Sequence, residues 1–266
     1  MSEPALSAAE PRRRAPAPLR GVRAAFVFLT RLRVGGFPYS DSDWSWASAH
    51  FPLVGAVLGL GLGLLYRALL PLGALGAAVL TLAASMLATG ALHEDGLADT
   101  FDALGGATGR ERIVEILKDS RVGSFGAAAL AASLLARAAL LARLGGDAVW
   151  LLPLALCAAR TAPVWLLRAL PYVSQAGVAR SRLVARAGVA QVVVATGWLA
   201  GVTALALHSG TLGVPRAAAL VASAAVVALV TGSWYARRLG GLTGDFLGAT
   251  EQIAEVAALA VLVWGR

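Results

Sequence analysis

The chain is poor in charge. Only 14% of its 266 residues are Asp, Glu, Lys or Arg, against about 25% in a soluble globular domain. That deficit excludes an ordinary soluble fold, which would be left with too much apolar surface in water. Cysteine is nearly absent: the single Cys157 rules out an internal disulfide and, inside an apolar segment, reads as a small packing residue. Histidine is scarce too, and His50, His93 and His208 are too scattered to outline a zinc site. Lysine is reduced to Lys118, so 22 of the 23 basic side chains are arginine. No cleavable signal peptide is evident, because Arg12-Arg13-Arg14 leads into Pro-rich sequence and then Arg23, Arg31 and Arg33.

What the chain has instead is apolar length. It is 58% hydrophobic, with a mean hydropathy of +0.72. Stretches of about 20 apolar residues span a bilayer as helices, and they fall near 47–70, 74–92, 124–144, 149–170, 189–207, 216–236 and 247–264. The expected fold is therefore all-α, a polytopic membrane bundle of six or seven spans with short interfacial helices. Residues 1–20, rich in Pro, Ala and Arg, read as a disordered basic tail, and 21–266 as a single membrane-embedded domain. The stretch 21–34 is too short to span and reads as an interfacial helix.

The net charge of +8 would suggest nucleic acid in a soluble protein. Here no basic stripe is interleaved with exposed aromatics, and contact with anionic lipid is the simpler reading. Seven Arg precede the first span, and further basic residues collect in 93–123, 171–188 and after Arg237. The positive-inside rule puts all of these in the cytoplasm.

Gly55, Gly59 and Gly63 share one helix face and predict a close helix contact. Pro153 and Pro163 predict kinks in the fourth span. Arg137 and Arg160 lie inside apolar segments, where charge is expensive. They read either as snorkelling or internally paired residues or as anion contacts.

Fourteen of the fifteen acidic residues lie in segments assigned to the cytoplasmic side, Asp147 being the exception. Such crowding on one side predicts a site there, and three clusters mark it. In 93–102, Asp95, Asp99 and Asp102 recur at i, i+4 and i+7, on one helix face. Three carboxylates so placed repel each other unless a cation intervenes, which suits a divalent metal and phosphate oxygens; a solvated acidic face is the plain alternative. In 110–126, Lys118 and Arg121 can neutralise phosphates, and Gly123 and Gly126 can bring backbone N–H groups to an anion. In 239–255, glycine-rich backbone precedes Asp245, while Gly248, Glu251 and Glu255 share a face; the alternative is a flexible connector.

Together these clusters resemble the cobalamin synthase family, the adenosylcobinamide-GDP ribazoletransferases. Asp-Gly-Leu-Ala-Asp-Thr-Phe-Asp at 95–102 resembles its signature, and Glu-Ile-Leu-Lys-Asp-Ser-Arg-Val-Gly-Ser-Phe-Gly at 115–126 its second motif. Leu-Gly-Gly-Leu-Thr-Gly-Asp-Phe-Leu-Gly-Ala at 239–249 is similar to its third, and Phe28 to Leu32 and Phe51 to Gly55 fit its N-terminal pattern. The sequence departs at Glu94, usually hydrophobic in the family, at Ala103, usually Gly, at Arg33, where Pro is common, and over 171–188, which includes Tyr172 and Arg180.

The resemblance implies an enzyme of the bacterial inner membrane with its active site facing the cytoplasm. A ribose hydroxyl of α-ribazole, or of its 5′-phosphate, attacks the cobinamide-linked phosphorus and GMP leaves. It implies Mg²⁺, with Asp95 and Asp99 as ligands and Asp102 as ligand or general base. Asp245 and Glu251 are further metal or substrate contacts; Lys118, Arg121, Arg160 and Gly244 would meet the phosphates. Its partners would be the corrinoid nucleotide and ribazole substrates, membrane lipid and no nucleic acid, with a homo-oligomer or other cobalamin-assembly enzymes as further partners. Two alternatives stand beside it. A CDP-alcohol phosphotransferase shares only Asp95-Gly96 with this chain, and a transporter would hold its site nearer the bilayer midplane.

Overall fold

A helix satisfies its own backbone hydrogen bonds, so an apolar run of 20 residues in lipid has little alternative to it. The computed structural model describes residues 15–32, 34–173 and 184–265, whose regular secondary structure is helical apart from one isolated parallel bridge between Tyr172 and Leu242. The helices are α1 (Ala17–Leu29), α2 (Asp41–Ala47), α3 (Phe51–Leu69), α4 (Ala74–Thr89), α5 (Leu92–Gly106) and α6 (Arg110–Ile116). They continue with α7 (Ser124–Leu144), α8 (Ala148–Ala169), α9 (Val189–His208), α10 (Val214–Arg238) and α11 (Gly244–Val263).

Five helical stretches are long and apolar enough to cross a membrane, and a sixth is the bent pair α4–α5. One of the five, Ser124–Ala169, is 46 residues long. Straight, it would run about 69 Å, over twice the ~30 Å hydrocarbon core. It is in fact a hairpin. The Tyr66 hydroxyl, near the end of α3, donates to the Ala142 carbonyl at 3.4 Å, and α8 then runs back along α3 from Ala148. Its two arms, α7 and α8, are therefore two separate candidate spans.

The α3–α8 contact rests on the three glycines spaced four apart. A Cβ at Gly59 would stand 2.6 Å from the Leu152 carbonyl, one at Gly63 would stand 2.7 Å from Ala148 O, and one at Gly55 would collide with Leu156 O. Helix α8 continues as one helix through both Pro153 and Pro163.

The N-terminal segment differs from its sequence reading. Residues 1–14 lie outside the described residues, and α1 begins at Ala17, inside the stretch read as a tail, and ends at Leu29. Pro18 falls in its first turn, where a missing N–H costs no hydrogen bond. The Ser40–Asp43 capping box starts α2, and Arg20 reaches Asp43 at 2.9 Å, tying α1 to α2. The glycine-rich run before α11 is not a loose connector. Val173 N donates to Leu242 O at 2.7 Å and Leu242 N to Pro171 O at 2.8 Å, which pins the start of α11 to the end of α8.

Candidate active site

The site is built where α5 leaves α4. Gly90 and Ala91 are both left-handed, with φ of 70° and 57°, a conformation that costs a non-glycine residue roughly 1–2 kcal/mol. This double reversal turns the chain by 91°. We therefore read α4 as the crossing segment and α5 as lying outside the spanning segments, wedged between α7 and α11. Gly96 and Gly248 let α5 and α11 touch backbone to backbone. A Cβ on Gly96 would stand 2.8 Å from Asp245 O and 3.2 Å from the Gly248 Cα. This contact sets Asp95 beside Asp245. Gly96→Ala is expected to force the helices apart, at about 1–3 kcal/mol, and to cut turnover by roughly 10²-fold through misplacement of the carboxylates. Steady-state kinetics together with a melting curve would check both.

The three aspartates of α5 sit in different surroundings. Asp95 is exposed and Asp99 half-buried, while Asp102 is buried and turned towards α7. Its two oxygens accept the backbone N–H groups of Gly123 at 2.7 Å and Gly126 at 2.8 Å. The anion held by those glycines is thus Asp102 itself rather than a substrate phosphate. The i, i+7 spacing shares a face with Asp95, but α7 packs over the far end of that face, and Asp102 anchors the start of α7.

Asp99 is pushed up to about 7, first by burial and then by the charges of Asp95, Asp245 and Asp102. The sign follows directly. A carboxyl whose folded pKa exceeds its unfolded 3.8 binds protons more tightly when folded, so it costs stability as pH rises through 7. Metal-free protein is expected to melt at lower temperature at pH 8 than at pH 6, and Asp99→Asn to reduce that difference. An unchanged pH difference in the variant would show that Asp99 is not its source.

Among the described residues, no three His, Cys, Asp or Glu side chains converge as a ready metal cage. Mg²⁺ does not need one, since it is held through one or two carboxylates, waters and substrate phosphates. Asp95 and Asp245, which line one cavity, could offer such a donor set.

Beneath the rim lies a buried charge network. Arg137, 1% exposed, donates to Glu94 Oε1 at 2.9 Å and to Glu255 Oε1 at 3.4 Å. Glu94, unusual in the sequence pattern, is therefore half of an internal pair linking α5 to α7. Arg160 Nη1 stands 2.8 Å from Glu251 Oε1, and His93 Nδ1 lies 3.8 Å from Glu251 Oε2. Gln252 Nε2 donates to Glu251 Oε2 at 3.1 Å. Glu251 is thus the counter-ion of Arg160. Arg160 takes the reading of an internal pair that also faces the site.

A cavity of about 200 Å³ opens beside this network. Asp95, Asp245, Glu251, Arg160 and Gly244 line it, as does His93, which sequence spacing did not single out for the site. Phe28, Leu29, Phe51, Leu92, Pro163, Val184, Leu247 and Gly248 complete the wall. Asp99, Asp102, Lys118 and Arg121 do not line it. Lys118 and Arg121 follow α6 on the exposed surface, where Arg121 forks onto Asp119 at 2.6–3.1 Å and holds that carboxyl down to about 2. Arg180 lies outside the described residues.

A family model described as cobalamin-5-phosphate synthase matches residues 21–263. A protein of Leptothrix cholodnii named adenosylcobinamide-GDP ribazoletransferase is 41% identical over 250 residues, covering 88% of this chain and 91% of that protein. Proteins of the same name from Allorhizobium ampelinum, at 40% over 242 residues, and Vibrio cholerae, at 36% over 245, match 88% and 90% of this chain and 92% and 91% of their own lengths. No solved structure matches the chain.

Proposed function

Because the chain belongs to the cobalamin-5-phosphate synthase family, we propose that it joins adenosylcobinamide-GDP to α-ribazole or α-ribazole 5′-phosphate with the help of Mg²⁺. It is a membrane transferase of cobalamin biosynthesis. A ribose hydroxyl oxygen forms a bond to the phosphorus carried by the cobinamide, the bond from that phosphorus to the GMP oxygen breaks, and GMP leaves with the electron pair. Phosphoryl transfer of this kind depends on positioning and charge neutralisation more than on covalent help from the protein. Bound Mg²⁺ would screen the diphosphate and the charge growing on GMP.

The observation that carries the reading is the meeting of Asp95 and Asp245, distant in sequence, at the rim of one cavity. These two would hold the cation. Asp99, half-buried one helical turn beyond Asp95 and outside the cavity wall, would take the hydroxyl proton. Asp102 keeps the start of α7 in register, and Arg160 with Glu251 forms the charged floor. The arginine-rich connections support a site that opens to the cytoplasm of a bacterial inner membrane.

Incubation of the purified protein with adenosylcobinamide-GDP and α-ribazole tests this. The expected result is one GMP per corrinoid product of the joined mass, lost on chelation and restored by Mg²⁺. Undiminished product formation in EDTA would remove the metal from the mechanism, and no GMP from folded, Mg²⁺-loaded protein would remove the reaction.

A further inference from the structure

The two substrates differ sharply in what a small cavity can accept. One is a macrocycle carrying a guanine nucleotide. The other is a riboside of 5,6-dimethylbenzimidazole, a flat apolar bicycle with one ring nitrogen free to accept a hydrogen bond. Ligand pockets for drug-sized molecules run to roughly 300–1,000 Å³. At about 200 Å³ this cavity takes a fused ring and not a corrin.

Its wall chemistry separates the two bases. Phe28 and Phe51 stack with ring centroids 5.5 Å apart and planes 12° apart, and both line the cavity with Leu92, Pro163 and Leu247. Guanine brings several donors and acceptors, each costly to bury without a partner. Glu251, the carboxylate on the floor, stands 2.8 Å from Arg160 Nη1 through Oε1, an atom with almost no accessible surface, and accepts from Gln252 at Oε2, so it offers little to guanine's N–H groups. Dimethylbenzimidazole brings almost nothing to satisfy. What it needs is one donor, and the cavity wall includes the Arg160 guanidinium. The polar end is also consistent. Asp95 and Asp245 line the same cavity as the aromatic pair, so a base seated on that pair can present its ribose to them.

We infer that this cavity seats the dimethylbenzimidazole base of the ribazole substrate, against Phe28, Phe51 and Leu247, with the ribose at the Asp95–Asp245 rim. The corrinoid and its guanine nucleotide then approach from outside the cavity. The assignment rests on the transferase reading above and adds which substrate enters and which face of the site it occupies.

The wild-type full chain tests it without any substitution. Free 5,6-dimethylbenzimidazole should inhibit GMP release competitively with α-ribazole and not with adenosylcobinamide-GDP, while guanosine should not compete with α-ribazole. Filling the cavity adds a second measurement. Leu247→Trp should raise KM for α-ribazole by about tenfold or more and leave KM for adenosylcobinamide-GDP within about twofold. If guanosine competes and dimethylbenzimidazole does not, or if Leu247→Trp raises only the corrinoid KM, the seat belongs to guanine and the inference fails. It fails equally if neither KM moves. Should Leu247→Trp not fold, the wild-type competition pattern decides alone. Equilibrium binding of dimethylbenzimidazole, read by its own fluorescence, separates the two layers. Saturable binding that Phe28→Ala weakens, in protein that releases no GMP, would sink the transferase reading and keep the seat. Absence of binding in active protein would sink the seat and keep the reaction.

Discussion

Asp95→Asn is expected to lower GMP release by roughly 10³-fold, a loss of about 4 kcal/mol in transition-state stabilisation at 1.36 kcal/mol per decade. The melting temperature should stay near that of the parent protein. Both halves follow from position. Asp95 is exposed at the rim, so replacing its charge removes no buried contact. It also faces the cavity beside Asp245, so the same change removes one of two carboxylates available to a cation. Asp245→Asn should behave alike, and the double variant should be little worse than either single one, because residues that act as a unit are not additive. Normal Mg²⁺-dependent turnover by folded Asp95→Asn would place the cation elsewhere.

Arg137→Met is expected to act in the opposite manner, through stability. One buried guanidinium serves Glu94 of α5 and Glu255 of α11 from its place on α7. Removing it strands two carboxylates in a site almost without solvent, and breaking a buried pair in this way costs about 3–5 kcal/mol. The protein should melt far lower or fail to survive detergent extraction. Combining Arg137→Met with Glu94→Gln and Glu255→Gln should recover much of the loss, since no uncompensated charge remains. Thermal melts and gel filtration of the two variants would check this, and a parental melting temperature for Arg137→Met alone would show that the network carries no net stability.

The contrast between these variants shows how differently two charges can be read from a sequence. Asp95 stands in a run whose helical spacing and position after an apolar span already marked it. Arg137 stands alone in an apolar stretch, and nothing local told an internal pair from an anion contact. Its partners lie 43 and 118 residues away. Asp102 shows a different limit. Helical spacing correctly shared its face with Asp95 and Asp99, but spacing carries no information about which neighbour covers that face. The same holds for Phe28 and Phe51, matched as pattern residues and seen as one wall only once α1 lies against α3.

By itself, the sequence determined that the chain is a helical bundle in a membrane, about where its spans run, that α3 must meet another helix at its glycine face, and where its acidic chemistry gathers. Each of these depends on quantities local to a segment: apolar length against bilayer thickness, and residue period against helix pitch. Tertiary structure alone decided which carboxylates face a cavity and which are spent on holding the fold. That choice depends on long-range packing, here the reversal at Gly90–Ala91 and the Gly96–Gly248 contact, which bring Asp95 to Asp245 while leaving Asp102 to α7 and Glu251 to Arg160. A carboxylate has the same chemistry in each of these places, and only its neighbours make it a ligand, an anchor or a counter-ion.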